Sequence, residues 1–125
     1  MTQKDKHLLL VDLSARLPYE IKVYVANSPR ETIDYGIKGY ISILTPRLYE
    51  ECIGLKEIKP YLRPMSSMTE EEVDEFTQFD VYSDGEYIMP NYETIDWLNA
   101  HYFDYRDLIP IGLALEASEG MYNKY

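Results

Sequence analysis

The sequence contains a single cysteine, Cys52, and only two histidines, His7 and His101. One cysteine cannot form an intramolecular disulfide, and neither histidine completes with it the spacing of a zinc or redox site. Free cysteines are usually buried and inert, so Cys52 is interpreted as a small apolar residue rather than a nucleophile. The chain is expected to need neither a disulfide nor a metal ion, which fits a reducing cytoplasm.

Long apolar runs are also missing. The longest run near the N-terminus is Leu8–Val11, and Asp12 ends it. A signal-peptide core needs about 7–15 apolar residues and a bilayer span about 20. We therefore expect no insertion into a membrane and a cytoplasmic location.

Basic residues are unevenly distributed, and none occurs from Pro64 to Tyr105. Residues 1–63 carry 10 basic and 8 acidic side chains, whereas residues 64–125 carry 2 basic and 14 acidic ones. The net charge of −10 therefore divides into +2 for the first half and −12 for the second. A surface this negative repels phosphate backbones, so direct nucleic-acid binding is disfavoured and a basic protein partner is favoured. The competing interpretation is that the charge only keeps the protein soluble.

The motifs of catalysis and cofactor binding are absent. There is no Gly-x-Ser-x-Gly elbow, and Gly36-x-x-Gly39 lacks the Gly-Lys-Ser/Thr that completes a phosphate loop. Asp80, Asp84 and Glu86 surround a glycine without the ligand spacing of a calcium loop. No catalytic residue, cofactor or metal site is predicted, and a non-enzymatic protein is favoured.

The first segment predicts a helix over Lys4–Leu17, because leucines recur there at helical spacing until Pro18. Asp12 and Arg16 form an i,i+4 pair on another face of this helix. A strand over Leu8–Asp12 is the competing prediction. The leucines of the helical stripe are Leu9, Leu10, Leu13 and Leu17.

Short strands are predicted next. Glu20–Val25 alternates between apolar and polar residues, as a half-buried strand does. Thr32–Tyr35 and Gly39–Leu44 are predicted as two further strands, and Arg47–Lys56 is ambiguous, with a short helical turn as one option. Ile58–Leu62 is predicted to return as an edge strand, because prolines are tolerated only at edges or ends.

A capping box marks the start of the first helix in the second half. Thr69 and Glu72 have the spacing at which each side chain accepts from the other's backbone N–H. Val73, Phe76 and Phe79 are predicted to mark one face of this short helix. Its acidic residues crowd the first turns, where the helix dipole stabilises negative charge without any ligand.

A hairpin and another helix are predicted to follow. Asp84-Gly85 lies between extended residues, which is typical of a two-residue hairpin turn. Asn91 is a good N-cap for a helix that runs through Tyr102. A second helical stretch is predicted over Tyr105–Ile109.

These elements predict an α+β fold with an N-terminal helix, a small antiparallel sheet of three to five short strands, and two or three helices in the C-terminal half. An open sheet and a small barrel both fit the pattern. The length of the chain and its 46% apolar content predict one globular domain, 1–125, with a loose tail at about 119–125.

Four stretches of the sequence are distinctive together, namely residues 8–19, 58–72, 96–101, and 103–106 running on to 112–117. The set resembles a family of small uncharacterised proteins from gut Bacteroidales genomes and their phages or other mobile elements. The similarity covers nearly the whole chain and is weakest over residues 27–57. It implies a cytoplasmic bacterial or phage setting and brings no activity, cofactor or catalytic residue.

His101, Asp104 and Arg106 form the most suggestive polar group, with Asp96 and Asp107 close in sequence. A histidine beside carboxylates is the usual general base. The structural alternative is that His101 complements a helix C-terminus and that Arg106 pairs locally with Asp104 or Asp107. The structural alternative is preferred here.

Tyrosine is overrepresented, with 13 residues against 3 phenylalanines and 1 tryptophan. Tyrosine is enriched at interfaces, but a small sheet also uses it for cross-strand pairs. Tyr24, Tyr35, Tyr40, Tyr82 and Tyr87 fall in predicted strands and are interpreted as structural, whereas Tyr92, Tyr105 and Tyr122 are candidates for a binding face. The candidate binding residues are Tyr92, Trp97, His101, Tyr105 and Arg106.

The leading hypothesis is a non-enzymatic protein-interaction or accessory factor of a phage or mobile element, with a protein as its partner. It would act through an acidic, tyrosine-bearing C-terminal face. One alternative is an acidic mimic of nucleic acid that occupies a DNA-binding protein. Another is a small-ligand binder or enzyme centred on His101 and Arg106.

Overall fold

The computed structural model describes residues 2–26, 39–54, 57–77, 82–83, 86–87 and 92–122. At residues 52–54, 82–83 and 86–87 it describes the backbone alone, so the side chain of Cys52 lies outside the description. The strand predicted over Thr32–Tyr35 and the N-cap predicted at Asn91 fall outside the described residues.

The first element is helix α1, Gln3–Arg16, so the helix predicted here is confirmed and the alternative strand is wrong. The Thr2 hydroxyl accepts the backbone N–H of Asp5 at 3.0 Å and caps the helix. A short 3₁₀ turn, Leu17–Tyr19, follows, with Pro18 in its first turn. The predicted pair of Asp12 and Arg16 forms, but it is fully buried.

Four strands, β1 (Lys22–Ala26), β2 (Tyr40–Ile43), β3 (Glu57–Leu62) and β6 (Leu115–Glu116), form a mixed sheet in the order β2-β1-β3-β6. The first three pair antiparallel, as predicted, whereas β3 and β6 pair parallel. No pairing joins β2 to β6 in the described part of the chain, so the sheet there is open.

The prediction that Ile58–Leu62 is an edge strand is wrong, because β3 lies between β1 and β6. Pro60 is tolerated inside the sheet because β6 pairs only with Tyr61 and Leu62. On the side of β3 that faces away from β1, Pro60 is therefore not paired with any described strand, and its missing N–H costs no hydrogen bond there.

The inner face of the sheet and α1 share one buried core. Val23 and Val25 of β1 alternate with partly exposed residues, as predicted, and Ile58 and Leu62 do the same in β3. Leu9 and Leu13 of α1 belong to the same cluster. The outer face of these strands carries Tyr24, Ala26, Glu57, Lys59 and Tyr61, which are partly or largely exposed.

Three more α-helices, a 3₁₀ turn (Met65–Ser67) and a hairpin complete the described fold; the helices and hairpin strands are α2 (Pro46–Gly54), α3 (Glu70–Thr77), β4 (Tyr82–Ser83), β5 (Glu86–Tyr87) and α4 (Tyr92–Ala100). Strands β4 and β5 pair antiparallel, as the hairpin motif predicted. None of the described helices is both long enough and apolar enough to cross a membrane.

The helix predicted over Tyr105–Ile109 is wrong, since this stretch forms turns. The Asp104 carboxylate accepts the backbone N–H groups of Leu108 at 2.8 Å and Ile109 at 2.9 Å. A side chain that satisfies two successive amides offers the backbone an alternative to helical hydrogen bonds.

The loose tail predicted from about residue 119 is wrong as far as Tyr122, which is buried. The Tyr122 hydroxyl accepts the N–H of Lys22 at 2.9 Å and donates to the carbonyl of Tyr61 at 2.8 Å. Its ring stacks on Tyr102 with centroids 3.7 Å apart. The chain end is therefore attached to β1 and β3 up to this residue.

Candidate functional site

A buried ion pair holds α3 against the sheet. Arg63 directly follows β3, is 1% exposed, and donates to the Glu72 carboxylate through two bonds of 2.7 Å. A further guanidinium N–H reaches the carbonyl of Ser67 at 3.2 Å, and the cation lies 4.2 Å above the Phe103 ring. Two planar groups matched in this way form a strong, geometrically specific contact.

Glu72 serves the capping box and the ion pair together. Its carboxylate accepts the Thr69 N–H at 3.0 Å, and its own N–H donates to the Thr69 hydroxyl at 3.2 Å, so the predicted box is confirmed. Burial alone would raise the pKa of Glu72, but hydrogen bonds from Arg63 and the Thr69 amide outweigh it and lower the pKa to about 2.

The face of α3 opposite Glu72 is turned to solvent. Of the predicted apolar face, Val73 is 44% exposed and Phe76 is partly buried, while Phe79 lies outside the described residues. Three acidic residues of α3, Glu70, Glu71 and Asp74, are exposed as well. The helix is therefore anchored by a buried carboxylate rather than by an apolar stripe.

Trp97 of α4 joins the two helices. Its indole N–H donates to a Glu75 carboxylate oxygen at 3.0 Å, and its ring lies 5.6 Å from Phe76 and 5.7 Å from Phe103, centroid to centroid. His101 stacks on the same indole at 4.2 Å. We call Val73, Glu75, Phe76, Trp97 and His101 the α3–α4 surface.

The protonation pattern of His101 follows from its neighbours. Its Nδ1 lies 2.8 Å from the carbonyl oxygen of Trp97, which can only accept, so Nδ1 carries the hydrogen. Nε2 lies 4.0 Å from the Glu75 carboxylate. This arrangement orients the ring against the indole and fits a packing role for the histidine.

Arg106 belongs to a different cluster, which is centred on Asp12 of α1. It donates to Asp12 at 2.9 Å, and the other Asp12 oxygen accepts from Arg16 at 2.9 Å. The expected local pairing of Arg106 with Asp104 or Asp107 is therefore wrong. Arg106 also donates to the Tyr105 hydroxyl at 2.9 Å and lies over that ring.

The five candidate binding residues thus occupy three places. Trp97 and His101 belong to the α3–α4 surface, and Tyr105 and Arg106 belong to the Asp12 cluster. Tyr92, 89% exposed, begins α4. Five residues of helix rotate a position by about 140°, so Tyr92 and Trp97 lie on different sides of α4.

Three residues of this surface, Val73, Glu75 and Phe76, were not among the candidate binding residues from the sequence, and neither was Arg63, whose ion pair with Glu72 positions α3. Glu75 is one of several acidic residues in α3. The sequence could have distinguished it only by showing that it lies on the side of α3 that is turned towards Trp97. Among the described residues, no group of three or more histidine, cysteine, aspartate or glutamate side chains is arranged to hold a metal ion.

Comparison with other proteins gives no relative. The chain matches no protein-family model, no curated protein and no solved structure.

Proposed function

We propose that this protein is a non-enzymatic interaction factor that binds a basic, amphipathic segment of a partner protein on its α3–α4 surface. An accessory role in a phage or mobile element is the setting we propose for it. The observation that carries the proposal is Trp97, which is partly exposed, backed by two phenylalanines and a histidine, and hydrogen-bonded to the exposed Glu75 carboxylate.

The apolar part of the surface supports a protein partner. Exposed Val73 lies three residues before Phe76, so both share one face of α3 beside Trp97. Tryptophan is the residue type most enriched at binding hot spots, particularly where packing holds its ring rigid.

The charged part supports a basic partner. Glu70, Glu71 and Asp74 of α3 and Glu93 of α4 are exposed, and the sequence has no lysine or arginine from Pro64 to Tyr105. Such a field accelerates association with a positively charged segment and weakens with salt.

The nucleic-acid mimic is less well supported. A phosphate mimic needs its carboxylates exposed, whereas Glu72 and Asp104 are buried and bind Arg63 and backbone amides. The enzyme hypothesis would need His101 and Arg106 in one site, and the two side chains engage different partners.

The experiment is a titration with a fluorescein-labelled peptide of alternating arginines and leucines, followed by anisotropy. Trp97 is the only tryptophan, so a change in its emission locates binding at this surface. A peptide with glutamates in place of the arginines is the negative control. Binding that survives physiological salt is expected, because the apolar contacts are insensitive to screening.

Matched variants separate the surface from net charge. Glu71→Gln with Asp74→Asn should weaken binding at least fivefold, and Val73→Ser should do likewise. Glu116→Gln with Glu119→Gln removes the same charge elsewhere and should change affinity less than twofold. Equal losses in both double variants, or no change in Trp97 emission, would overturn the proposal.

A further inference from the structure

The outer face of the sheet carries a cleft where β1, β3 and β6 lie side by side. Its volume is about 320 Å³, within the range of about 300–1,000 Å³ typical of small-molecule sites. None of its residues belongs to the α3–α4 surface, so this site is independent of the proposed function. The lining residues are Tyr24, Ala26, Glu57, Lys59, Tyr61 and Leu115.

The strand register accounts for the shape of the cleft. Tyr24 is paired with Lys59, and Ala26 with Glu57. Ala26 contributes only a methyl group between larger neighbours, which leaves room on the outer face. Leu115 lies beside Tyr61 across the parallel pair and extends the apolar lining onto β6.

Lys59 is the cation of the cleft. It lies opposite Tyr24 and two residues before Tyr61 on the same strand face, and both tyrosines line the cleft with it. Its ammonium is 4.0 Å from the Glu57 carboxylate, a loose approach. The Glu57 side chain is 57% exposed against 30% for Lys59, so the carboxylate is the better solvated of the two.

We propose that this cleft is a binding site for a small planar aromatic carboxylate. The ring would stack against tyrosine and the apolar lining, and the carboxylate would pair with the Lys59 ammonium. An inorganic anion would leave the rings unused, and an aromatic amine would be repelled by Lys59 and could pair only with the better-solvated Glu57 carboxylate. The combination of rings and one partly buried cation therefore selects an aromatic acid.

The test uses 2-naphthoate as the probe and heteronuclear NMR of the full chain as the readout. A ligand of this size is expected to bind with a Kd on the order of 1 mM. Shift changes should concentrate on residues of β1, β3 and β6. The matched amine, 2-naphthylmethylamine, should bind at least tenfold more weakly, because it lacks the carboxylate that pairs with Lys59.

Three variants assign the contacts. Lys59→Met keeps the aliphatic stem and should weaken naphthoate binding at least tenfold, since a charge-assisted bond is lost. Ala26→Leu fills the cleft and should abolish binding. Arg47→Met removes one positive charge at an exposed site of α2 and should change the Kd less than twofold.

Far-UV circular dichroism and thermal unfolding verify that each variant is folded. We expect them to be folded, because the substituted residues are partly or fully exposed and lie outside the buried core. The proposal is overturned by naphthoate binding that Lys59→Met leaves unchanged, by shifts that map to α1 or the α3–α4 surface, or by equal binding of the amine. Absence of any shift in the parent protein at about 5 mM naphthoate also overturns it.

Discussion

Replacing Glu72 by glutamine keeps the size of the side chain and removes the charge opposite Arg63. Arg63 is 1% exposed and would remain charged without its carboxylate. Breaking a buried ion pair in this way costs about 3–5 kcal/mol of folding free energy. The urea midpoint falls by the lost free energy divided by the m-value, which is about 2 kcal/mol/M for a domain of this size. Glu72→Gln should therefore lower the midpoint by about 2 M, a large part of the stability of a domain that unfolds at a cost of about 5–15 kcal/mol.

The control is Glu71→Gln, which removes an exposed charge one residue away on the same helix. Its effect should stay within about 0.5 kcal/mol. Urea unfolding followed by Trp97 emission measures both variants. A loss below about 1 kcal/mol for Glu72→Gln would refute the reasoning that this pair anchors α3.

A double variant distinguishes the ion pair from simple packing. Arg63→Met with Glu72→Met removes both charges and leaves no orphaned partner. Such replacements are often neutral or stabilising compared with breaking the pair. The double variant should therefore be more stable than either single variant, and a double variant as unstable as the two losses added together would contradict this.

Acid should remove the contribution of Glu72 in a defined range. Its pKa is lowered in the folded state from 4.5 to about 2, so the stabilisation is present above pH 4.5 and is lost as the pH falls towards 2. At about 1.4 kcal/mol per pKa unit, the loss amounts to about 3 kcal/mol. The stability difference between the parent and Glu72→Gln should shrink over this range and stay constant above it.

Three further substitutions test the interior. Asp12→Asn removes the charge that two arginines share and should cost at least about 3 kcal/mol in urea unfolding, whereas exposed Glu50→Gln should cost almost nothing. Tyr122→Phe deletes a buried hydroxyl with a backbone donor and acceptor, so we expect a loss of about 1–3 kcal/mol and a lower Tm; an unchanged Tm would mean that the C-terminal segment is not docked. Gly39 and Gly112 both have positive φ, at 136° and 79°, but only at Gly39 would a Cβ run into a tyrosine ring of β1. Gly39→Ala should therefore lower the Tm more than Gly112→Ala, and equal effects would contradict the packing argument.

Local patterns predicted the elements that local interactions determine. The leucine spacing of α1, the alternation of β1 and the box of Thr69 and Glu72 all act between residues at most four apart. Periodicity and capping report such interactions directly. These predictions were confirmed because no tertiary contact opposed them.

The errors come from contacts between distant residues. The parallel neighbour β6 makes β3 an inner strand, and the segment that supplies it begins more than 50 residues later. Tyr122 is held by Lys22, 100 residues away, so composition alone suggested a loose end. Arg106 pairs with Asp12 across 94 residues in preference to its own neighbours.

The candidate site was predictable only in part for the same reason. Trp97 and His101 lie four residues apart on one helix, and that spacing is visible in the sequence. Glu75 reaches Trp97 across 22 residues, through a helix whose position depends on Arg63. The face that α3 presents was therefore decided by a buried charge that the hydrophobic pattern does not report.

The arginines explain why the acidic half presents so little positive charge. Arg63 neutralises buried Glu72, and Arg106, one of only two basic residues after Pro64, is turned towards Asp12 in the first half. Neither cation thus compensates the exposed carboxylates of α3 and α4. A partner that supplies cations to these carboxylates would meet the indole of Trp97 beside the exposed Glu75.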